Sequence, residues 1–291
     1  MKIDTHQHFW IYTPRDYGWI GPGMEGLKRD YLPADLAPLL ASAGIDGTVA
    51  VQARQTLEES RWLLDLADQH DFIHGVVGWV DLCSSRLAEQ LERFAPHPKF
   101  CGVRHIVHDE LDDQFMMRDD FRQGIGLLKY YGLTYDLLLF PRHLPVATRL
   151  VEEFPDQLFV LDHIAKPPIK EHKLDPWRAD LRNLAASENV FCKVSGMVTE
   201  ADWKVWKPAD FEPYLDEVFE CFGAARIMIG SDWPVCTLAA SYSSVIQLPN
   251  AYLQRLSADE QADVWWNNAE RFYRFPPLHD SNSPRDTPDG R

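Results

Sequence analysis

The sequence is short of cysteine, of long apolar runs and of positive charge, and each shortage excludes a class of protein. Its five cysteines are scattered and form no CxxC pair, which favours reduced, mostly buried thiols over a disulfide framework or a zinc ribbon. No stretch reaches the ~20 apolar residues that span a bilayer, and no apolar signal segment opens the chain. We therefore expect a protein that is neither exported nor membrane-bound.

Charge and apolar content narrow the class further. Lys and Arg number 29 against 44 Asp and Glu, which gives a formal net charge of −15. Nucleic acid and anionic membranes repel such a chain, so we expect neither as a partner. With 45% hydrophobic and 12% aromatic residues, the bulk of the chain is not disordered. These properties predict a cytoplasmic enzyme with a small-molecule substrate, and they leave a homodimer open.

The chain lacks the glycine-rich phosphate loops GxGxxG and GxxxxGK[ST], which disfavours an open doubly wound sheet. It has instead eight short β-type runs, most of them apolar on both faces and alternating with helical patterns, as in a (β/α)8 TIM barrel. We predict one domain over 1–275 and a disordered tail over 276–291. The predicted strands are 2–8, 47–52, 73–80, 101–107, 133–139, 158–163, 190–195 and 226–231.

Local signals mark the helices between these strands. Thr56 followed by Glu59 predicts a capping box, and Ser257 with Glu260 predicts another before a C-terminal helix. Gly124 and Gly126 lie inside a helical pattern without an evident functional reason.

The first predicted strand carries a candidate site. Alternate side chains of a strand share a face, so we expect Asp4, His6 and His8 to point the same way. His6 and His8 lie at the carboxyl end of the strand, where barrel enzymes place their active sites. Two imidazoles there can bind a divalent metal or donate hydrogen bonds to a carbonyl group.

Polar or titratable residues also end five later strands, where an apolar strand should stop. One such residue is ordinary, but several that converge on one ring of strands indicate a site at the mouth of the barrel. Arg54, in the loop after the second strand, is a further candidate for contact with substrate, although a surface salt bridge is the commoner role. The strand-end residues are Arg104, His105, Tyr135, Asp136, Asp162, His163, Lys193 and Asp232.

These motifs resemble a known family. The HxH of the first strand, the later strand-end histidine and the GSDxP of the last strand resemble the amidohydrolase superfamily, of the amidohydrolase-2 type. The segments HQHFW, VQARQ, GVRH, LDHIAKP, CKVSG and GSDWPV, which span residues 6 to 235, are more similar to its sugar-lactonase branch. That branch includes L-fuconolactonase and L-rhamnonolactonase-type proteins.

The resemblance implies a (β/α)8 hydrolase that opens a sugar lactone by adding water. Asp232 would be the general base, and His6, His8 and His163 would complete the catalytic group. Arg104 would neighbour the developing oxyanion. The predicted substrate-binding residues are Arg104, His105, Lys193, Tyr135 and Arg54.

The metal expectation also comes from the resemblance. Binuclear members have a bridging lysine on the fourth strand and histidines on the fifth and sixth, and this chain departs from that pattern. A cation such as Lys193 or Arg104 would repel a second metal. A single zinc or manganese ion on His6, His8, His163 and Asp232 is geometrically feasible. The sugar-lactonase branch implies that no metal is required.

Three alternatives stay open. A hydrolase of pyrone-dicarboxylate or another carboxylated lactone is the runner-up, but a dianion calls for several arginines, and only Arg104 is well placed. A mononuclear-metal decarboxylase of the same superfamily comes next, and a binding protein without catalysis is the third.

The aromatic loop 9–34 can act as a lid, as a wall against a sugar ring or as a plug. We expect His70, His97, His143 and His172 to lie at the surface.

Overall fold

Eight parallel strands form the centre of the fold. A computed structural model describes residues 1–275, so the predicted tail lies outside the described residues. The strands are hydrogen-bonded in chain order from β1 to β8, and each begins within one residue of its predicted start. The predicted TIM barrel is therefore confirmed. The strands are Ile3–Gln7 (β1), Gly47–Val51 (β2), Ile73–Gly78 (β3), Phe100–His105 (β4), Thr134–Leu137 (β5), Phe159–Leu161 (β6), Val190–Val194 (β7) and Ile227–Ile229 (β8).

Contacts between the first and last strands close the barrel. The Thr5 hydroxyl donates to the carbonyl of Ile229 at 2.8 Å, and the backbone N–H of Asp232 donates to the carbonyl of His6 at 2.8 Å. A bridge between Gln7 and Trp233 continues the pairing beyond β8. The closure brings the HxH segment beside the GSDWP segment, although they are more than two hundred residues apart in the chain.

Helices surround the strands, and none within residues 1–275 is both long and apolar enough to cross a bilayer. A π-helical turn, Asp263–Asn267, joins the last two helices. The helices are Pro33–Ala43 (α1), Leu57–Gln69 (α2), Leu87–Phe94 (α3), Asp119–Leu128 (α4), Leu144–Glu153 (α5), Trp177–Ala185 (α6), Met197–Glu200 (α7), Glu212–Phe222 (α8), Tyr242–Leu253 (α9), Ala258–Ala262 (α10) and Asn268–Tyr273 (α11).

The two predicted capping boxes have different outcomes. Ser257 and Glu260 form the complete box, because each side chain accepts a hydrogen bond from the other residue's backbone N–H. Thr56 accepts from the N–H of Glu59, but the Glu59 carboxylate accepts from the N–H groups of Ala53 and Arg54 at 3.0 and 2.7 Å. The first box is thus only half correct, and its acidic residue instead holds the loop after β2.

The C-terminal segment fills one end of the barrel. The apolar side chains of Trp266, Phe272 and Tyr273 pack in one cluster with strand residues such as Ile3 and Val49. A second and larger cluster lies between the strands and the outer helices. The barrel interior is thus a packed core at this end.

An irregularity in β1 corrects one expectation. The register of β1 against β2 shifts between Asp4 and Gln7. The Asp4 carboxylate does not join His6 and His8, because it accepts hydrogen bonds from the hydroxyls of Ser231 and Tyr242 at 2.6 and 3.1 Å. Asp4 is therefore a structural carboxylate that ties β1 to the segment after β8 and to α9.

Gly124 of α4 provides a test of the packing between helix and loop. A Cβ atom at this position would lie 2.3 Å from the backbone oxygen of Leu82, which cannot move easily. Alanine normally favours a helix, but here we expect Gly124→Ala to lower the free energy of unfolding by ~1–3 kcal/mol because of overpacking. The measurement is urea unfolding followed by circular dichroism.

Gly126→Ala is the matched control in the same helix. Its Cβ would lie 3.3 Å from the edge of the Phe154 ring, a side chain that can shift. We expect its unfolding midpoint to stay at or above that of the parent protein. Equal destabilisation by both substitutions would contradict the explanation that Gly124→Ala destabilises the protein through a clash with the Leu82 backbone oxygen.

Candidate active site

A cavity of about 430 Å³ opens at the carboxyl ends of the strands. This volume is in the range of small-molecule sites. His8, His163 and Asp232 line it, as the sequence predicts for a catalytic group, and Arg104 reaches it from β4. The other lining residues are Trp10, Trp19, Met24, Ala53, Ile106, His108, Asp109, Leu138, Phe140, Lys166, Thr199, Glu200, Trp203, Val235 and Leu238.

A chain of buried charges lies beside this cavity. Lys193 Nζ lies 2.5 Å from the Asp136 carboxylate and 3.1 Å from that of Asp162. Arg104 Nη1 lies 2.9 Å from the other oxygen of Asp162. All four side chains are at most 3% exposed. Two carboxylates and two cations alternate, so the chain is electrically balanced without water.

The electrostatics of the two central groups agree with this balance. Burial alone disfavours the charged form of Lys193, but Asp136 and Asp162 outweigh it and raise the pKa of the ammonium group. Burial likewise opposes ionisation of Asp162, but Lys193, His6 and Arg104 hold its pKa well below the usual range. Both groups therefore stay charged near neutral pH.

The hydrogen bonds of His6 define its tautomer. Its Nε2 lies 3.1 Å from Arg104 Nη1, which can only donate, so Nε2 carries a lone pair. A neutral ring holds one proton, which then belongs on Nδ1, 3.2 Å from a carboxylate oxygen of Asp162. Burial lowers the pKa of His6 well below its usual range, and the Lys193 ammonium, 3.3 Å from Nδ1, acts in the same direction. His6 is therefore neutral.

Asp232 is the point on which three histidines converge. Its Oδ1 lies 3.3 Å from Nε2 of His8, 3.8 Å from Nε2 of His163 and 4.0 Å from Nε2 of His6. Burial by itself raises the pKa of Asp232, but the facing histidines hold it below its usual range. The Asp232 carboxylate is therefore ionised at neutral pH and lies in the cavity wall.

The other ring nitrogens are oriented by neighbouring groups. His8 Nδ1 donates to the carbonyl of Val51 at 2.8 Å, and His163 Nδ1 lies 2.9 Å from the hydroxyl of Ser195. Gly196 permits the second contact, because it has φ +61° and a Cβ there would lie 2.6 Å from the His163 ring. Burial lowers the pKa of His163 to about 3, so this ring is neutral.

The arrangement fits a cation at its centre. Because Nδ1 of His8 donates to a carbonyl, its Nε2 faces the Asp232 carboxylate as a lone pair unless a proton lies between them. Ligand atoms of His6, His8 and Asp232 lie within 4.8 Å of one another, and His163 is adjacent. Histidine nitrogens oriented by a second hydrogen bond, together with a carboxylate, suit a single divalent ion such as zinc.

Strand alternation corrects two predicted substrate-binding residues. Arg104 reaches the cavity, so its neighbour His105 takes the other face of β4, where it lies 2.6 Å from Glu110 and stacks on Phe115. Tyr135 is likewise fully buried against the aromatic rings of the outer core. Neither residue lines the cavity.

Lys193 and Arg54 also lie outside the cavity lining. Lys193 is fully buried in the charge chain. Arg54 forms a salt bridge with Asp16 of the aromatic loop at 3.1 Å and lies 5.8 Å from the Tyr17 ring. Their predicted contact with substrate therefore needs correction: Lys193 balances charge, and Arg54 secures the loop.

Several cavity residues were not found from the sequence. His108, Lys166, Glu200 and Trp203 all line the cavity but lie beyond the ends of the strands. Lys166 alone had a signal, since it belongs to the LDHIAKP motif. His143, expected at the surface, is fully buried and lies 3.0 Å from Asp113.

The aromatic loop serves both as a wall and as a plug. Trp10 and Trp19 line the cavity, and their rings meet edge to face at 6.0 Å. Tyr17 is buried in the core beside Trp10, and Trp10 pairs with Tyr31 through reciprocal backbone hydrogen bonds. The loop therefore seals the edge of the barrel and also offers indole surface to a ligand.

Fold and site together define a (β/α)8 barrel enzyme with a histidine and carboxylate centre. The family model described as Amidohydrolase matches residues 3–275, and the chain belongs to this family. The predicted resemblance to amidohydrolases is thus confirmed.

Three relatives illustrate this membership. The chain is 42% identical over 287 residues to an L-fucono-1,5-lactonase of Burkholderia multivorans, covering 95% of this chain and 97% of that protein. It is 39% identical over 282 residues to an L-fucono-1,5-lactonase of Burkholderia ambifaria, covering 94% and 96%. A crystal structure of an amidohydrolase from Burkholderia multivorans with bound zinc matches with a TM-score of 0.92 at 43% identity, covering 95% of this chain and all of that one.

Lys193 provides a test of the buried charge chain. Lys193→Met would leave Asp136 and Asp162 without their shared cation, so we expect a loss of ~3–5 kcal/mol in the free energy of unfolding. The measurement is urea unfolding. Lys170→Met, at an exposed lysine, should have almost no effect.

The double variant Lys193→Met, Asp136→Asn removes one cation together with one carboxylate. It should recover part of the lost stability, because the remaining Asp162 and Arg104 are one carboxylate and one cation and are again balanced. A loss below ~1 kcal/mol for Lys193→Met alone would contradict the role of this residue.

Proposed function

We propose that this chain hydrolyses a sugar lactone to the aldonic acid, with L-fucono-1,5-lactone as the first substrate to test. The observation that carries the proposal is the ionised Asp232 carboxylate in a cavity wall, faced by three histidine nitrogens. The two relatives named L-fucono-1,5-lactonase support the choice of substrate.

Asp232 is the proposed general base. Its carboxylate takes a proton from a water molecule as the water oxygen attacks the lactone carbonyl carbon. The tetrahedral intermediate then collapses, and the bond between the carbonyl carbon and the ring oxygen breaks. The proton on Asp232 passes to the leaving ring oxygen, which restores the carboxylate and completes the aldonic acid.

The hydrogen bonds select among the residues expected to stabilise the oxyanion. His6 Nε2 accepts from Arg104 and therefore cannot donate to an oxyanion. His163 can donate from Nε2 when the Ser195 hydroxyl donates to its Nδ1. Both Nη atoms of Arg104 already donate to Asp162, His6 and Gln52, whereas its Nε has no partner among the described residues. Arg104 thus contributes its positive charge near the oxyanion.

A metal is compatible with this site, and we propose that it is not required. His6, His8, His163 and Asp232 would hold a single zinc or manganese ion, which would polarise the lactone carbonyl or acidify a bound water. A lactone is an activated ester, so a positioned base and a hydrogen-bond donor suffice for water attack.

The cavity favours a neutral polyol over a dicarboxylated lactone. Among the described lining residues, Arg104 and Lys166 are the arginine and lysine side chains. Arg104 is paired with Asp162, and Lys166 is paired with Glu200 at 3.3 Å. Two free carboxylates of a substrate would therefore lack free cationic partners.

Three other sequence-based expectations stay proposals. We propose that residues 1–275 act as one domain, that the protein is cytoplasmic and that it works without nucleic acid. A homodimer is also a proposal, to be tested by light scattering.

Proton release against a panel of lactones tests the function. We expect turnover of L-fucono-1,5-lactone and related aldonolactones, and no turnover of 2-pyrone-4,6-dicarboxylate, since the cavity cations are already paired. Asp232→Asn should lower kcat by ~10²–10⁴-fold, the typical loss of a general base. Asp65→Asn, on the outer face of α2, is the control and should change kcat by less than about threefold.

Two outcomes would contradict the proposal. Near-full activity in a folded Asp232→Asn protein would exclude this residue as the base. Release of CO₂ from an aromatic acid, without lactone turnover, would instead favour a decarboxylase.

Exhaustive chelation tests the metal. We expect lactonase activity to survive removal of bound metal to below stoichiometric traces, as measured by elemental analysis, because the base and donor are protein groups. If activity is lost and zinc or manganese restores it, the metal-free proposal is overturned. The role of Asp232 is tested separately by the Asp232→Asn variant.

A further inference from the structure

A left-handed turn follows β6 and brings an unassigned lysine to the cavity. His163, Ile164, Ala165 and Lys166 have φ angles of 54, 47, 61 and 52°. Residues other than glycine rarely adopt this conformation, and a β-branched residue such as Ile164 is especially unfavourable there. The turn is held by the Trp177 indole, which donates to the carbonyl of Ile164 at 2.7 Å. Such strain persists where surrounding structure imposes it, often at functional sites.

The turn gives Lys166 a place beside the catalytic histidine. Residues three apart in a tight turn share a face, and both His163 and Lys166 line the cavity. Lys166 Nζ lies 3.3 Å from the carboxylate of Glu200, at the end of α7. Their side chains are 17% and 23% exposed, so the pair is largely enclosed but still reachable from the cavity.

The pair also forms a boundary. A second cavity of about 800 Å³ adjoins the catalytic one, and both are lined by Lys166, Thr199, Glu200 and Trp203. An ion pair at an exposed surface contributes little to stability. Here the pair lies between two cavities that Trp203 also lines, so a ligand in either cavity can reach both charged groups.

The chemistry of the pair suits adjacent hydroxyl groups. An ammonium group has three N–H donors and a carboxylate accepts several hydrogen bonds, so the contact between Lys166 and Glu200 leaves both with unused capacity. Each hydroxyl of a vicinal diol can accept from the ammonium and donate to the carboxylate. The Trp203 indole can cover the apolar face of the same sugar ring.

We propose that Lys166 and Glu200 form a subsite that binds two adjacent hydroxyl groups of the lactone and so determines which sugar lactone the enzyme accepts. The proposal rests on the proposed function and deepens it. The pair touches neither Asp232 nor the reacting carbonyl in this scheme, so it acts on substrate selection.

The test compares L-fucono-1,5-lactone with the monodeoxy analogues of its ring hydroxyls. In the parent enzyme, kcat/KM should be ~10–100-fold lower than for the full lactone for two of the analogues, namely those that each lack one of the two adjacent bound hydroxyls. This factor is the effect of a hydrogen bond to a charged group. Lys166→Met and Glu200→Gln should lower kcat/KM for the full lactone by a similar factor. On those two analogues the same variants should lower kcat/KM by a smaller factor than on the full lactone, because only one of the two hydroxyls remains to bind the pair.

The pair Lys170 and Asp202 provides a matched control. Its charged atoms lie 3.6 Å apart, and both residues line the second cavity but not the catalytic one. Lys170→Met and Asp202→Asn should therefore leave the ratio of kcat/KM between full and deoxy lactones unchanged.

Binding of the corresponding lactam, which resists hydrolysis, separates this inference from the proposed function. Calorimetry with the lactam and its deoxy forms should show the same discrimination, and the two variants should reduce it. Discrimination in binding without hydrolysis of any lactone would overturn the proposed function and keep the subsite. Equal losses on full and deoxy ligands, or no loss at all, would overturn the subsite.

Discussion

The site depends on one buried carboxylate, Asp162, that must be neutralised without water. Its two cations come from different strands, Lys193 from β7 and Arg104 from β4, and Nδ1 of His6 in β1 lies 3.2 Å from it. An unpaired charge in such a place would cost several kcal/mol, so these strands are held in one relative arrangement. The same contacts fix the neutral tautomer of His6, whose Nε2 accepts from Arg104 and lies 4.0 Å from the Asp232 carboxylate.

A second constraint lies at Asp232. The carboxylate of Asp232 is surrounded by histidine nitrogens whose other ring positions are occupied by Val51, Ser195 and Asp162. Electron pairs that face one another require a proton or a cation between them. One set of residues is thus suited both to moving a proton from water to a leaving oxygen and to holding a single divalent ion. Family membership and the geometry of the site both indicate a hydrolase. Whether a metal takes part depends on whether an ion occupies the site formed by the histidines and Asp232.

Much of the fold was predictable because its signals are local. Parallel strands covered by helices are apolar on both faces, as most of the eight predicted runs are, and all eight runs became strands. Directions of side chains were predicted less well. Arg104 and His105 cannot share a face of one strand, and the same alternation sends Tyr135 into the outer core while Asp136 meets Lys193. Asp4 was expected to share a face with His6 and His8, but the irregularity in β1 interrupts the alternation between them.

The sequence by itself determined the order of the elements, the barrel, the family and the convergence of His6, His8, His163 and Asp232 on one end. Those conclusions rest on short-range periodicity and on motifs that each lie within a few residues. Only the tertiary structure decided how deeply each side chain is buried and which residue it pairs with. Lys193 lies in the buried charge chain, and Lys166 pairs with Glu200 in the wall of the cavity. The reason is that such contacts join residues far apart in the chain, and that a left-handed turn redirects the backbone without a glycine to signal it.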